Sequence, residues 1–169
     1  MPAIGIGRIS AIRNEEVENY LGKVKTYEQQ QASTIQTIAN KAWMKTMIHV
    51  TGANNAPFLE NIITNDLNRY KNIIQDTFYG ANVYSFNKST VSSQSQANDL
   101  MKQLFDNGIS LLNYFGHSAA TSLDYNLTSP DQFHNTGKYP MFLVNGCSAG
   151  NIYSFDTTRL SLITSLSEN

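Results

Sequence analysis

The sequence contains a single cysteine, Cys147, among 169 residues. One cysteine excludes an internal disulfide and any metal site built from several thiolates. Charge is scarce as well, since 15% of the residues are charged and the net charge is −1. Such a chain has no field that would attract nucleic acid or an anionic membrane, so we expect no nucleic-acid partner. A lone cysteine is most often a small buried residue, and only its neighbours can change that interpretation.

Long apolar runs are also missing. The most apolar runs, at 109–112 and 141–144, are far shorter than the roughly 20 residues that span a bilayer as a helix. The N-terminal segment lacks a basic start followed by an apolar stretch, so we expect no signal peptide and no membrane span in this chain. With 41% hydrophobic and 11% aromatic residues, the composition is that of a globular protein.

Strand and helix signals alternate along the chain. Asn14 followed by acidic residues predicts a helix start, Pro57 suits the first turn of another helix, and Gly108 suits the end of a third. The predicted strands are 44–50, 81–86, 109–115 and 141–144, and the predicted helices are about 14–27, 57–78 and, from a cap within 92–95, to 107. Residues 1–10 are predicted to be extended, and the tail to begin a helix. Apolar strands alternating with helices predict a mostly parallel α/β sheet flanked by helices, in one domain over residues 1–169.

Other features of the sequence indicate structural or solvent-exposed positions and no bound group. His49 lies inside an apolar strand and is predicted to be a hydrogen-bonded core residue, whereas His134 lies in a polar loop and is predicted to be solvated. No histidines share a helical i, i+4 spacing, so we expect no metal site, and no glycine-rich phosphate loop precedes a helix, so we expect no cofactor. The helix that begins at Pro57 carries an apolar stripe that is predicted to be core: Phe58, Leu59, Ile62, Ile63, Leu67, Tyr70, Ile73 and Ile74.

Two strand ends carry residues suited to covalent catalysis. His117 follows the strand at 109–115, and Cys147 follows the strand at 141–144. Ligand sites of open parallel sheets gather beyond the carboxyl ends of the strands, so these side chains can meet if the strands are neighbours. An imidazolium favours the thiolate form of a nearby thiol, which can attack an acyl carbon. Small residues that leave room for a substrate backbone flank both positions: Gly116, Ser118, Gly146 and Ser148.

Three short motifs resemble those of one peptidase family. NYFGH at 113–117 and VNGCSAG at 144–150 are similar to the active-site motifs of the gingipain family, cysteine peptidases of the caspase-like clan. IGRIS at 6–10 and KVKTYE at 23–28 resemble a further stretch of that family, and the spacing of the blocks matches. The resemblance covers nearly the whole chain, and the combination is far more specific than any one motif.

The resemblance implies a caspase–haemoglobinase-like α/β fold and hydrolysis of peptide bonds in a protein or peptide substrate. By position, Cys147 matches the family nucleophile and His117 the family histidine. The main-chain N–H groups of Cys147 and Ser118 match the family's oxyanion hole, and Gly116, Gly146 and Ser148 are expected to contact substrate. The family also implies secretion or a cell-surface location, as for type IX secretion substrates and the type IX sortase of Bacteroidetes.

The chain departs from the family pattern at several points. Ser118 stands where the family usually has glycine, and its Cβ could crowd a substrate. The loop TGANNAP at 51–57 offers no acid before Glu60 to orient the histidine, and Asp124 is a substitute by position alone. The chain is also expected to be a truncated domain. A catalytically inactive gingipain-like scaffold or peptide-binding module is therefore the alternative, and the cleavage specificity and oligomeric state stay open.

Overall fold

Helices and strands alternate in the computed structural model, which describes residues 9, 11–32, 35, 37–53, 56–90, 93–119, 121–125, 127 and 132–151. The helices are α1 (Asn14–Ala32), α2 (Ile38–Lys41), α3 (Pro57–Ile74) and α4 (Gln94–Asn107), and a 3₁₀ turn (Ala42–Lys45) precedes the first strand. The strands are β1 (Thr46–Gly52), β2 (Asn82–Asn87), β3 (Leu111–Gly116) and β4 (Met141–Asn145). No helix in this part of the chain is both long and apolar enough to cross a membrane.

The predicted strands and helices are present, with shifts at their ends. α4 begins after Ser93, whose side chain accepts a hydrogen bond from the backbone N–H of Gln96, and it ends at Gly108 with a positive φ of 97°. α3 ends at Ile74 and not near 78, because Asp76 Oδ1 accepts hydrogen bonds from the N–H groups of two following residues and forms a turn. The predictions for 1–8, for residue 10 and for the tail after 151 lie outside the described residues.

The strands form one parallel sheet in the order β2-β1-β3-β4. Parallel pairing brings all of their carboxyl ends to one edge of the sheet, called here the carboxyl edge. At this edge Gly52 of β1 lies beside Gly116 of β3, and Phe115 of β3 lies beside Asn145 of β4. β3 and β4 are therefore neighbours, as the joint placement of His117 and Cys147 requires.

The two faces of the sheet are covered by different helices. α4 packs on one face, where Phe105 joins Val50 and Tyr114 in the largest cluster of buried side chains. α3 packs on the opposite face, where Ile63 and Leu67 form a smaller cluster with Ala53. The sheet and these two helices form the parallel layers that hold the strand ends in place.

The prediction that the whole apolar stripe of α3 is core was wrong. Within α3 only Ile63 and Leu67 are buried, while Phe58 is 80% and Ile73 is 59% exposed. The stripe is wider than the strip of helix that contacts β1, because a helix lying on a sheet buries only the residues directed at the strands. The apolar pattern therefore identified the helix correctly but overestimated how much of it is covered.

His49 is confirmed as a core residue, since it is 2% exposed in the middle of β1. Desolvation lowers the pKa of its imidazole below the ordinary value of 6.5, and the charge of Lys71 adds to this, while a hydrogen bond to the Leu67 backbone opposes it. Its Nδ1 atom is buried without a hydrogen-bond partner among the described residues. Protonation of His49 therefore opposes folding.

We expect the free energy of unfolding to fall as the pH drops below about 6.5. The folded pKa of His49 lies below the unfolded value, so the stabilisation is complete above the unfolded pKa and is lost as the pH falls to the folded pKa. The slope of the unfolding free energy against pH is proportional to the number of protons taken up on unfolding. His49→Gln should reduce that number by up to about one and so flatten the slope. The measurement is urea denaturation between pH 5 and pH 8. His134→Gln, at an exposed position, should keep the slope, and an unchanged slope in His49→Gln would contradict the assignment.

Candidate active site

His117 and Cys147 follow directly from neighbouring parallel strands. Phe115 of β3 pairs with Asn145 of β4, an offset of 145 − 115 = 30 residues, and the offset between His117 and Cys147 is also 147 − 117 = 30. Each of the two residues therefore follows its strand at the carboxyl edge, two positions beyond the last paired residue. A direct contact joins their loops, since the Ser118 hydroxyl donates a hydrogen bond of 2.6 Å to the Cys147 carbonyl oxygen.

Both candidate catalytic residues are exposed. Cys147 is a free cysteine with an exposed side chain, and His117 is exposed as well. The default interpretation of Cys147 as a small buried apolar residue is therefore wrong. A thiol and an imidazole that reach solvent at one edge of a parallel sheet have the access that covalent catalysis requires.

The backbone of His117 is held by hydrogen bonds from two sides. Its N–H donates to the Gly52 carbonyl oxygen at 2.6 Å, which ties it to β1. Its carbonyl oxygen accepts from the Asp124 N–H at 3.0 Å and from the Tyr114 hydroxyl, and the Asp124 N–H also lies 3.1 Å from the Tyr114 oxygen. The backbone of His117 is therefore fixed through both its N–H and its carbonyl oxygen.

Tyr114 is the buried support of this arrangement. Its side chain is fully buried, and burial raises the pKa of the phenol to about 12, to which the charge of Asp124 contributes. The hydroxyl thus stays protonated and remains a hydrogen-bond donor to His117 over the whole physiological range. Sequence reasoning missed this role, although a tyrosine within an apolar strand just before the histidine is a signal, because a buried hydroxyl needs a partner.

The glycines at the strand ends are required by close approaches within the chain. A Cβ on Gly52 would lie 1.9 Å from the Tyr114 hydroxyl oxygen, and one on Gly116 would lie 2.0 Å from the Gly52 carbonyl oxygen. A Cβ on Gly146 would lie 2.3 Å from the Ser118 Oγ atom. Packing alone therefore explains why Gly116 and Gly146 lack side chains, and contact with substrate stays a prediction.

Ser148, also predicted to contact substrate, has an unusual backbone. Its φ of 59° places a residue with a side chain in the left-handed region, which costs on the order of 1 kcal/mol. Its carbonyl oxygen accepts a hydrogen bond of 3.1 Å from the Asn151 N–H, which closes a turn after Cys147. Cys147 thus lies between the end of a strand and a strained turn, and such strain is common where a side chain is held for function.

Asp124 is the acid expected to substitute as orienter of the histidine, and Glu60 is the first acid after the loop at 51–57. Glu60 accepts a hydrogen bond from the Ser89 hydroxyl, so its carboxylate is engaged next to the end of β2. Asp124 lies next to His117, since its backbone N–H donates a hydrogen bond to the His117 carbonyl oxygen. Of the two, Asp124 is the residue that the fold brings to the site.

The remaining histidines lie outside this arrangement. His49 is enclosed between β1 and α3, and His134 is exposed, with its backbone N–H bonded to Asp106 Oδ1 at 2.8 Å. Within the described ranges, no group of three or more His, Cys, Asp or Glu side chains could hold a metal ion.

A groove of about 570 Å³ opens at the other edge of the sheet. Its lining includes Trp43, Gly108 and Lys138, which precede β1, β3 and β4. The Lys138 ammonium is bonded to the Asn107 carbonyl oxygen at 3.0 Å. Among the described residues, this lining contains no cysteine, histidine or acidic side chain, unlike the carboxyl edge with His117 and Cys147.

The chain is similar to one protein family in sequence and to two solved structures in fold. The sequence model of peptidase family C25 matches residues 1–169. The chain is similar to the crystal structure of the Arg-specific cysteine proteinase gingipain R (RgpB), with a TM-score of 0.62 and 18% identity over 97% of this chain and 36% of that one. It is also similar to the complex of the Porphyromonas gingivalis RgpB pro- and mature domains, with a TM-score of 0.61 and 18% identity over 99% of this chain and 38% of that one. A comparison with curated protein sequences found no match.

These likenesses confirm the predicted fold. The mostly parallel sheet flanked by helices is that of the gingipains, a caspase-like fold. At 18% identity the structural likeness shows the fold alone. The chain spans little more than a third of the length of either gingipain chain, at 36% and 38%.

Removal of the Tyr114 hydroxyl should destabilise the fold measurably. Tyr114→Phe deletes the hydroxyl bond to the His117 carbonyl oxygen, and a buried hydrogen bond contributes about 1 kcal/mol. We expect a decrease of about that size in the free energy of unfolding, measured by urea denaturation at pH 7. Tyr70→Phe, on the exposed side of α3, is the matched control and should change stability by less than about 0.5 kcal/mol. Equal stability of the two variants would show that the hydroxyl does not support the histidine loop.

Proposed function

Since the chain belongs to peptidase family C25, the gingipain family, we propose that it carries the catalytic residues of a cysteine endopeptidase. Cys147 is the nucleophile and His117 is its proton-transfer partner. The substrate is a protein or peptide, and secretion or a cell-surface location follows from the same family resemblance. The observation that supports the proposal is that an exposed imidazole and an exposed thiol each follow, by two residues, the paired residues Phe115 and Asn145 at the ends of the neighbouring strands β3 and β4.

The first half of the reaction forms an acyl-enzyme. The Cys147 thiolate attacks the carbonyl carbon of the scissile peptide, a C–S bond forms, and the electron pair of the C=O bond moves to the oxygen. When this tetrahedral intermediate collapses, the C–N bond breaks and the protonated imidazole of His117 gives its proton to the leaving amine. The product carrying the new amino terminus departs, and the acyl group stays on sulfur.

The second half of the reaction restores the enzyme. The His117 imidazole, now neutral, takes a proton from a water molecule while that water attacks the thioester carbon. The C–S bond breaks, and the new carboxyl group leaves. The thiolate and imidazolium are then regenerated, so no external reactant besides water is consumed.

The backbone near Ser118 suits the proposed oxyanion hole. Ser118 and Leu123 form an isolated antiparallel bridge. The two hydrogen bonds of that bridge are made by neighbours, from the Ala119 N–H to Ser122 and from the Asp124 N–H to His117. In such a bridge the central residues direct their own N–H groups away from each other's strand, so the Ser118 N–H faces away from Leu123. A main-chain donor there can stabilise the developing oxyanion together with the Cys147 N–H.

One observation favours the inactive alternative. The Ser118 side chain fills the space over Gly146, since a Cβ added to Gly146 would lie 2.9 Å from the Ser118 Cβ atom. This is space through which a substrate backbone is expected to approach. A catalytically inactive scaffold or peptide-binding module with the same fold therefore remains the second candidate.

Alkylation of Cys147 tests whether the thiol is activated. Because Cys147 is the only cysteine, iodoacetamide reports on one site. At pH 6 we expect the folded chain to react at least about tenfold faster than free cysteine, since an imidazolium beside a thiol favours the reactive thiolate. His117→Ala should remove this advantage, while His134→Ala, the matched control, should leave the rate within about twofold. An ordinary rate in a folded chain, or equal rates with and without His117, would refute the proposed pair.

Peptide hydrolysis separates the two candidate functions. A fluorogenic peptide library should be cleaved by the protein and not by its Cys147→Ala variant, because the acyl-enzyme needs the sulfur. Fast alkylation without cleavage of any peptide, in the longest form of the protein that can be prepared, would favour the inactive module.

A further inference from the structure

The Ser118 side chain makes the contact that joins the two catalytic loops. Its hydroxyl donates to the Cys147 carbonyl oxygen at 2.6 Å, across 29 residues of sequence. The gingipain-like pattern has glycine at this position, so the contact depends on the residue in which this chain departs from its family. A short hydrogen bond between a hydroxyl and a carbonyl fixes both partners when the donor is itself fixed.

The donor is fixed from its other side. The bridge between Ser118 and Leu123 is closed by a bond of 2.8 Å from the Ala119 N–H to the Ser122 carbonyl oxygen and a bond of 3.0 Å from the Asp124 N–H to the His117 carbonyl oxygen. The backbone of Ser118 is therefore held by hydrogen bonds on both sides, and this fixes the position of its hydroxyl next to Cys147.

Gly146, which precedes the acceptor residue Cys147, leaves the space that the Ser118 side chain occupies. A Cβ on Gly146 would lie 2.3 Å from the Ser118 Oγ atom and 2.9 Å from its Cβ atom, while the next contact, with the Gly116 carbonyl oxygen, is 3.3 Å. The first two distances are impossible without movement, whereas the third needs an adjustment of only a few tenths of an ångström. The side chain at 118 and the absence of one at 146 are therefore one coupled arrangement.

We propose that Ser118 is a positioning residue, whose hydroxyl holds the peptide group between Cys147 and Ser148 and so sets the direction of the thiol. That peptide group leads into Ser148, whose backbone is in the left-handed region with a φ of 59°. This conformation is supported by the Ser118 hydrogen bond to the Cys147 carbonyl oxygen on one side and by the Asn151 hydrogen bond to the Ser148 carbonyl oxygen on the other. The description of Cys147 as a nucleophile rests on the proposed function. The hydrogen bond and its coupling to Gly146 do not.

The coupling is tested by a double-mutant cycle read out as the folding equilibrium constant in urea. Gly146→Ala alone should lower that constant at least about tenfold, because its methyl group collides with the Ser118 side chain. In the Ser118→Gly background the same substitution should cost less than about threefold, since only the 3.3 Å contact remains. An equal loss in both backgrounds would overturn the coupling, whether or not the protein is a peptidase.

The positioning role is tested by the alkylation rate of Cys147 at pH 6, with a serine of matched chemistry as control. Ser110 also donates its hydroxyl to a backbone carbonyl, that of Thr46, at 3.1 Å, but at the opposite edge of the sheet. Ser118→Ala and Ser110→Ala should each lower the folding constant about fivefold through the loss of one hydrogen bond. Only Ser118→Ala should slow alkylation, by at least about threefold, and Ser118→Thr, which keeps a hydroxyl, should restore the rate.

The outcomes distinguish this inference from the proposed function. An ordinary alkylation rate in the unsubstituted protein refutes the catalytic pair and leaves the double-mutant cycle as the measure of the Ser118 contact. A fast rate that Ser118→Ala leaves unchanged, as Ser110→Ala does, overturns the positioning role while the catalytic pair stands.

Discussion

The parallel register between β3 and β4 is the constraint on which the site depends. Successive side chains of a strand alternate between the two faces, so a slip of one residue would turn Tyr114 or Val144 away from the cluster under α4. The apolar pattern of the strands therefore fixes the register, and the register in turn brings the strand ends that precede His117 and Cys147 together. In this way the burial of apolar side chains in the core determines which polar residues meet at the carboxyl edge.

The Tyr114 hydroxyl also links the buried core to the candidate site. The Tyr114 ring belongs to the buried cluster, but its hydroxyl lies at the carboxyl edge and bonds to the His117 carbonyl oxygen. This geometry is possible only because Gly52, on the neighbouring strand, leaves the space that the phenol occupies. The Tyr114 side chain thus connects the core to the backbone of His117, and Gly52 beside it has a structural reason that is independent of any substrate.

Local signals in the sequence predicted the elements well because their causes are local. The cap of α4 within 92–95 and its end at Gly108 follow from hydrogen bonding and backbone freedom within a few residues. Contacts between distant residues were not predictable in this way. The Ser118 hydroxyl finds its acceptor 29 residues away, and the exposure of Phe58 depends on how much of α3 the sheet covers. The family resemblance pointed to His117, Cys147 and the main-chain N–H of Ser118, but it could not predict the hydrogen bond of the Ser118 hydroxyl, because the family usually has glycine at this position.

That difference changes how a departure from a family motif is interpreted. A serine in place of glycine after the histidine suggests crowding and lost activity when the position is considered alone. In the structure the added side chain is directed at Gly146, which has no Cβ to oppose it. The Ser118 hydroxyl bonds to the Cys147 carbonyl oxygen. The substitution leaves the Ser118 N–H in place and exchanges backbone freedom for a hydrogen bond between the loops. Restricted freedom favours catalysis when the fixed geometry is the reactive one, since the ordering of the two loops is then completed during folding and not at each turnover.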